Sequence, residues 1–182
     1  LTLRPFRYVL IHKPMATICS NVDEQYPSIF SALDLERCCE LHIAGRLDAD
    51  TTGLVLATDD GRWSFNIMRP TKRCEKVYRV GLAQPIALDA AAKFAHGVAL
   101  QGEAQLTLPA TLEVISAQDV RLTITEGKFH QVKRMFAAIG NRVVSLHREQ
   151  IGGITLDVGV GQWRALTATE IRLFASESEL DA

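Results

Sequence analysis

The chain has no apolar run approaching the ~20 residues that a membrane-spanning helix needs. Its start, Leu1-Thr2-Leu3-Arg4-Pro5-Phe6, carries neither an initiator methionine nor a secretory leader pattern, so it reads as the ordered part of something longer. Cysteine is sparse: Cys19, Cys38, Cys39 and Cys74 form no Cys-x-x-Cys pair, and the adjacent Cys38 and Cys39 make a poor disulfide. Free, unreactive thiols in a reducing compartment follow, and with them a cytoplasmic location. An excess of charge of either sign is missing too. The 20 Lys and Arg against 21 Asp and Glu leave a net −1, which does not announce a nucleic-acid binder. No internal repeat, low-complexity tract or linker interrupts the 182 residues. They read as one unit spanning residues 1–182, a single domain or two lobes joined around a cleft.

The composition that is present, 47% hydrophobic and 23% charged, suffices for a sizeable core. Arg7 to His12 reads as a strand ended by Lys13-Pro14. Residues 16–31 read as a loop, and residues 33–43 carry mixed signals. Leu54 to Thr58 is a short buried strand, and Asp59-Asp60-Gly61 is a turn. Trp63, Ile67 and Met68 fall at helical spacing, with Pro70 as the stop. Glu75 to Leu82 alternates, placing Lys76, Tyr78, Val80 and Leu82 on one face. Ala87 to His96 is helical, and residues 110–115 and 120–125 form a hairpin through Ser116 to Asp119. Phe129 to Ile139 is the clearest helix, with Val132, Met135, Phe136 and Ile139 as its apolar stripe. Arg142 to His147 is a strand, and Thr167 with Glu170 has capping-box spacing. Many short strands with few helices and no regular crossover alternation predict an α+β fold, a largely antiparallel mixed sheet with flanking helices.

Cations cluster despite the neutral sum: Arg69, Lys72, Arg73, Lys76 and Arg79; then Lys128, His130, Lys133 and Arg134; then Arg142, His147 and Arg148. The loop Gly45-Arg46-Leu47-Asp48-Ala49-Asp50-Thr51-Thr52-Gly53 brackets an arginine and two aspartates between glycines. Turn chemistry alone accounts for it. Four chemical readings compete. Asp48, Asp50, Asp59 and Asp60 could gather a metal, but their spacing matches no calcium loop, and no histidine pair has metal spacing. Nucleophilic serine or cysteine lacks a motif. His12, His42 and His96 read as structural. A binding module could use the basic clusters with Tyr78 and Phe129 as stacking platforms. An enzyme site could use Asp48 as a lone carboxylate, with an aromatic and a cation, on a nucleobase.

The ordered set Gly45-Arg46-Leu47-Asp48, Thr51-Thr52-Gly53-Leu54, Lys76-Val77-Tyr78, His130-Gln131-Val132-Lys133-Arg134-Met135 and Leu146-His147-Arg148-Glu149-Gln150-Ile151-Gly152-Gly153-Ile154 resembles the pseudouridine synthases, in their ribosomal branch. Thr58-Asp59-Asp60-Gly61 and Cys74-Glu75-Lys76 support it, and the likeness covers nearly the whole chain. The resemblance implies the pseudouridine-synthase catalytic fold and an isomerase that turns a uridine within RNA into pseudouridine. The N1–C1′ bond breaks, the uracil turns, and C5 rejoins C1′, without metal or other cofactor. It implies Asp48 as the essential carboxylate and Tyr78 as the ring stacked on the base and acceptor of the C5 proton. Lys133 stands at the position of the cation paired with the aspartate, with Arg134 as a neighbouring candidate, and Leu146 lines the base pocket. Arg46, Lys76, His130, Gln131, Arg134, Leu146 and Arg148 are the expected RNA contacts. The expected partner is ribosomal RNA, a 16S small-subunit precursor ahead of a large-subunit one, acted on by a monomer with no membrane involvement. Close members of the branch carry an N-terminal S4-type RNA-binding domain, and this sequence begins after the point where it would end.

Such a site sets physical demands. The target base must leave the stack, which costs a few kcal/mol, and stacking on an aromatic returns ~1–3 kcal/mol. Asp48 must stay ionised although a dry pocket favours its neutral form. A lysine at ~4 Å offsets this by ~4 kcal/mol at an effective dielectric of 20. Asp50 is expected only to shape the turn with Thr51 and Thr52.

Overall fold

A computed structural model describes residues 5–69, 73–128 and 130–175. The expected stop at Pro70, the cation Lys72 and the aromatic Phe129 lie outside the described residues. Strand β1 spans Tyr8–Lys13, and a 3-10 turn at Cys38–Glu40 leads to β2, His42–Ala44. Then come β3 (Thr52–Thr58), α1 (Gly61–Met68), β4 (Lys76–Leu82), α2 (Ala90–His96), β5 (Thr111–Ser116) and β6 (Asp119–Ile124). The rest is α3 (Gln131–Ala138), β7 (Val143–Ile151), β8 (Ile154–Thr155), β9 (Trp163–Ala165) and α4 (Ala168–Arg172). Among the described residues no helix is long and apolar enough to cross a membrane.

The strands form one sheet in the order β5-β6-β4-β7-β3-β1-β9, with β2 added to β3 and β8 to β7. Every pairing is antiparallel except β3 with β7, which meet in parallel at Thr52–His147 and Gly53–Arg148. The mixed, largely antiparallel sheet of the sequence reading is therefore what the chain adopts.

Strand β3 explains how the core is divided. Leu54, Val55, Leu56 and Ala57 are all buried, as expected of a strand covered on both faces. Side chains alternate, so Leu54 and Leu56 join Leu10, Trp63, Ile67 and Phe174 in one cluster. Val55 and Ala57 join Val9, Ile11, Phe94, Met135 and Phe136 in the other. Thus α1 seals one face, and α2 and α3 seal the opposite face. Helix α1 starts at Asp60, whose carboxylate accepts from the Trp63 N–H at 3.2 Å. Helix α3 starts two residues later than its periodicity suggests, because His130 is left-handed (φ 49°) and turns the chain into it. Strand β7 runs four residues past the expected His147, since Arg148 and Ile151 still pair with β4.

Candidate active site

The loop between β2 and β3 is held from below. Leu47 is buried, and its N–H donates to the Cys19 sulfur at 3.4 Å. The Thr51 N–H closes a turn on the Asp48 carbonyl at 3.0 Å. Lys13 is 0% exposed and donates to the carbonyls of Thr51 (2.7 Å), Pro14 (3.0 Å) and Ala49 (3.2 Å). Burial lowers the Lys13 pKa, and Cys19, Asp50 and Asp48 act in the opposite direction. Sequence reasoning missed Lys13. Its signal was its position two residues after Ile11 and four after Val9, on the apolar face of β1.

With its backbone fixed, the loop turns Asp48 outward, its side chain 43% exposed. His130 Nε2 stands 3.3 Å from Asp48 Oδ2, and Lys133 Nζ stands 3.7 Å from the same oxygen. Lys133 lies closer to Asp50, donating to both carboxylate oxygens at 2.9 Å. That hydrogen bond holds the Asp50 carboxyl below its usual range, against an opposing effect of partial burial. Asp50 is thus more than the turn former expected of it: it shares the lysine with Asp48.

Asp48, His130 and Lys133 line a cleft of about 580 Å³, together with Arg46, Lys76, Tyr78, Gln131, Leu146 and Arg148; Asp50 is not among its lining residues. Tyr78 is 8% exposed and belongs to the same apolar cluster as Val80, Leu82 and Leu146, and it also lines the cleft. Both readings of that tyrosine, core residue and cleft residue, hold for the same ring. Lys76, two residues earlier on the same face, has its pKa lowered by burial, with the Arg148 charge acting in the same direction.

Three expected RNA contacts are placed differently. Gln131 is buried; its amide donates to Glu126 at 2.8 Å, and its carbonyl accepts the Lys128 N–H at 3.0 Å. It shapes the approach to α3. Arg134 is not among the cleft residues; it donates to the Gln101 carbonyl at 2.6 Å and pairs with Glu103 at 3.5 Å. Along α3 it follows Lys133 by one residue, about 100° around the axis, so the two cations diverge. Arg148 is only 2% exposed and donates to protein carbonyls inside the cleft wall. The four aspartates of the metal reading are also divided. Asp59 accepts the Arg7 N–H, and Asp60 caps α1.

The arrangement offers a carboxylate beside a histidine and a lysine in a partly apolar cleft that a tyrosine also lines. Comparison with known proteins identifies the family. The family model described as RNA pseudouridylate synthase matches residues 7–138. The chain is 57% identical over 167 residues to ribosomal small subunit pseudouridine synthase A of Salmonella typhimurium, covering 91% of this chain and 72% of that protein. The protein of that name from Vibrio cholerae is 54% identical over 173 residues, covering 94% and 75%. A solved pseudouridylate synthase superposes with a TM-score of 0.90 at 47% identity, covering 95% of this chain and 75% of that one. An H/ACA RNP bound to a substrate RNA containing 2′-deoxyuridine shares the fold alone, at a TM-score of 0.57 and 17% identity.

Proposed function

The chain belongs to the RNA pseudouridylate synthase family, and from that premise we propose that it converts a uridine of small-subunit ribosomal RNA to pseudouridine with Asp48 as the essential carboxylate. It is an isomerase: the N1–C1′ bond breaks, the C5–C1′ bond forms, C5 loses a proton and N1 gains one. The observation that carries the reading is the meeting of Asp48, Tyr78 and Lys133 on one cleft, from three separate elements. Asp48 acts as an anion, by attack on C1′, by attack on C6 or by assisting elimination to a glycal. Lys133 Nζ, 3.7 Å away, is the cation that partners Asp48.

Tyr78, which lines the cleft, is assigned the stacking contact with the base that enters it and the acceptance of the C5 proton. Leu146 forms apolar wall beside it. Arg46 is exposed at the cleft mouth, where it can fill the gap left by the flipped nucleotide or hold a phosphate. Lys76 and His130 offer donors inside the cleft for the RNA backbone. A monomeric, cytoplasmic enzyme belongs to the same reading.

The test is to map pseudouridine in small-subunit and large-subunit ribosomal RNA treated with the wild-type chain and with Asp48→Asn. The expected outcome is one new pseudouridine with the wild type, and none with Asp48→Asn although RNA is still bound. Substantial turnover by Asp48→Asn would remove the carboxylate from its role. Modification confined to large-subunit RNA would move the substrate.

A further inference from the structure

Strand β7 lies between the strand that follows the Asp48 loop and the strand that carries Tyr78. Arg148 stands in register with Gly53 of β3 on one side and with Tyr78 of β4 on the other. Its guanidinium uses that place. Nε donates to the Leu54 carbonyl at 2.9 Å, Nη2 to the Gly45 carbonyl at 2.6 Å, and Nη1 reaches the Tyr78 hydroxyl oxygen at 3.5 Å. Gly45 opens the loop that presents Asp48, and Leu54 lies in β3, the strand that follows it. One planar, fixed fork therefore touches the start of the loop, the strand it runs into and the Tyr78 hydroxyl. An arginine can only donate, so the Tyr78 oxygen accepts, which leaves the phenolic hydrogen to be aimed elsewhere. Among the described residues no carboxylate forms an ion pair with Arg148; its partners are carbonyls and the phenol.

We propose that Arg148 is a positioning residue of the reaction: it sets the distance between the Asp48 loop and the Tyr78 ring, and it orients the Tyr78 hydroxyl. Gly45 leads into Arg46-Leu47-Asp48, so a shift of its carbonyl moves the carboxylate directly. A lysine in this place carries all its donors on one nitrogen and cannot reach three acceptors that the arginine meets from three separate nitrogens. The inference rests on the pseudouridine synthase reading for its activity readout and on the hydrogen bonds for its second readout.

The experiment compares wild type, Arg148→Met, Arg148→Lys and Tyr78→Phe, and combines Arg148→Met with Tyr78→Phe. A misplacement of about 1 Å lowers a rate by roughly a hundredfold. The single-turnover rate on small-subunit ribosomal RNA is therefore expected to fall by about that factor in Arg148→Met. RNA affinity should stay within about threefold, and Arg148→Lys should recover part of the rate. The combined variant should lose less than the product of the two single losses, because both changes break the same contact. Independently of turnover, amide exchange at Leu47 and Thr51 should speed up in Arg148→Met while α1 amides stay protected. Multiplicative losses, a loss confined to RNA affinity, unchanged exchange, or failure of both arginine variants to fold would each overturn the proposal. If the wild type makes no pseudouridine, the functional reading fails, and the exchange result still decides the clamp.

Discussion

Lys133 has one ammonium and two carboxylates within reach. It favours Asp50, at 2.9 Å to both oxygens, over Asp48, at 3.7 Å. Asp50 is the more exposed of the two aspartates, so the pair it makes is worth little to stability. Its effect is on where the ammonium rests. Removing the Asp50 charge frees the lysine for Asp48, and Asp50→Asn is expected to keep the fold and to change the single-turnover rate by about tenfold or less. Lys133→Met takes the cation away from the site altogether. It should lower the single-turnover rate by about a hundredfold or more. A rate equal to wild type in Lys133→Met would assign the charge balance to His130. At this scale the sequence was informative about which residues meet and silent about their bonds. The ordered motifs placed Asp48, Tyr78 and Lys133 together. That Asp50 takes the shorter contact, and that Lys13 and Arg148 turn inward to carbonyls, depends on where distant strands bring backbone oxygens. Only the two-residue alternation with Ile11 and Leu146 hinted at either burial.

Helix α4 is an element whose start could be read directly. Thr167 accepts from the Glu170 N–H at 3.2 Å, and Glu170 accepts from the Thr167 N–H at 2.8 Å, closing the capping box that the spacing predicts. The sequence did not show that Arg164, on β9, grips the same glutamate with two bonds of 2.8 Å and Asp157 with one of 2.7 Å. Arg164 is the main cause that depresses the Glu170 pKa from 4.5 to about 2. A depressed carboxylate stabilises the fold fully above its unfolded pKa, and the stabilisation fades as pH falls toward the folded pKa. The window here runs from pH 4.5 down to about 2. Thr167→Ala should cost about 1 kcal/mol at neutral pH. Glu170→Gln should destabilise by about 1–2 kcal/mol at pH 6, with the difference shrinking as the acid denaturation series approaches pH 2. A pH-independent difference would assign the loss to the cap alone. Helix α3 shows the converse case: its stripe is as read, but its first turn depends on the left-handed His130, which no periodicity reports.

For the molecule as a whole, the parallel contact of β3 with β7 is the joint. On one side stand β1, β2, β3 and β9 with the Asp48 loop; on the other stand β4, β5, β6 and β7 with Tyr78, and α3 with Lys133 packs there. The site exists only while the two sides meet, and they pair in parallel over just two positions. Each side reads from local pattern, as alternation in β4 and as an apolar run in β3. The joint does not, because parallel pairing links residues nearly a hundred positions apart with no shared turn. One residue decides whether it closes. Gly53 has φ +115°, and a Cβ there would lie 2.2 Å from the Arg148 carbonyl oxygen and 2.6 Å from its nitrogen. Those are backbone atoms of the partner strand, so relief requires the strands to part. Gly102 also has positive φ, at +85°, but nothing lies within 4 Å of a Cβ built on it. Gly102→Ala therefore reads backbone strain alone, about 1–2 kcal/mol. Gly53→Ala adds the clash and should lose roughly 3 kcal/mol or more, measured by chemical denaturation. Because parting the strands also separates Asp48 from Tyr78 and Lys133, Gly53→Ala should lose its single-turnover activity at temperatures where it remains folded. Gly102→Ala should keep it. If both variants lost stability equally and both kept activity, the joint would not be what brings the carboxylate to the tyrosine.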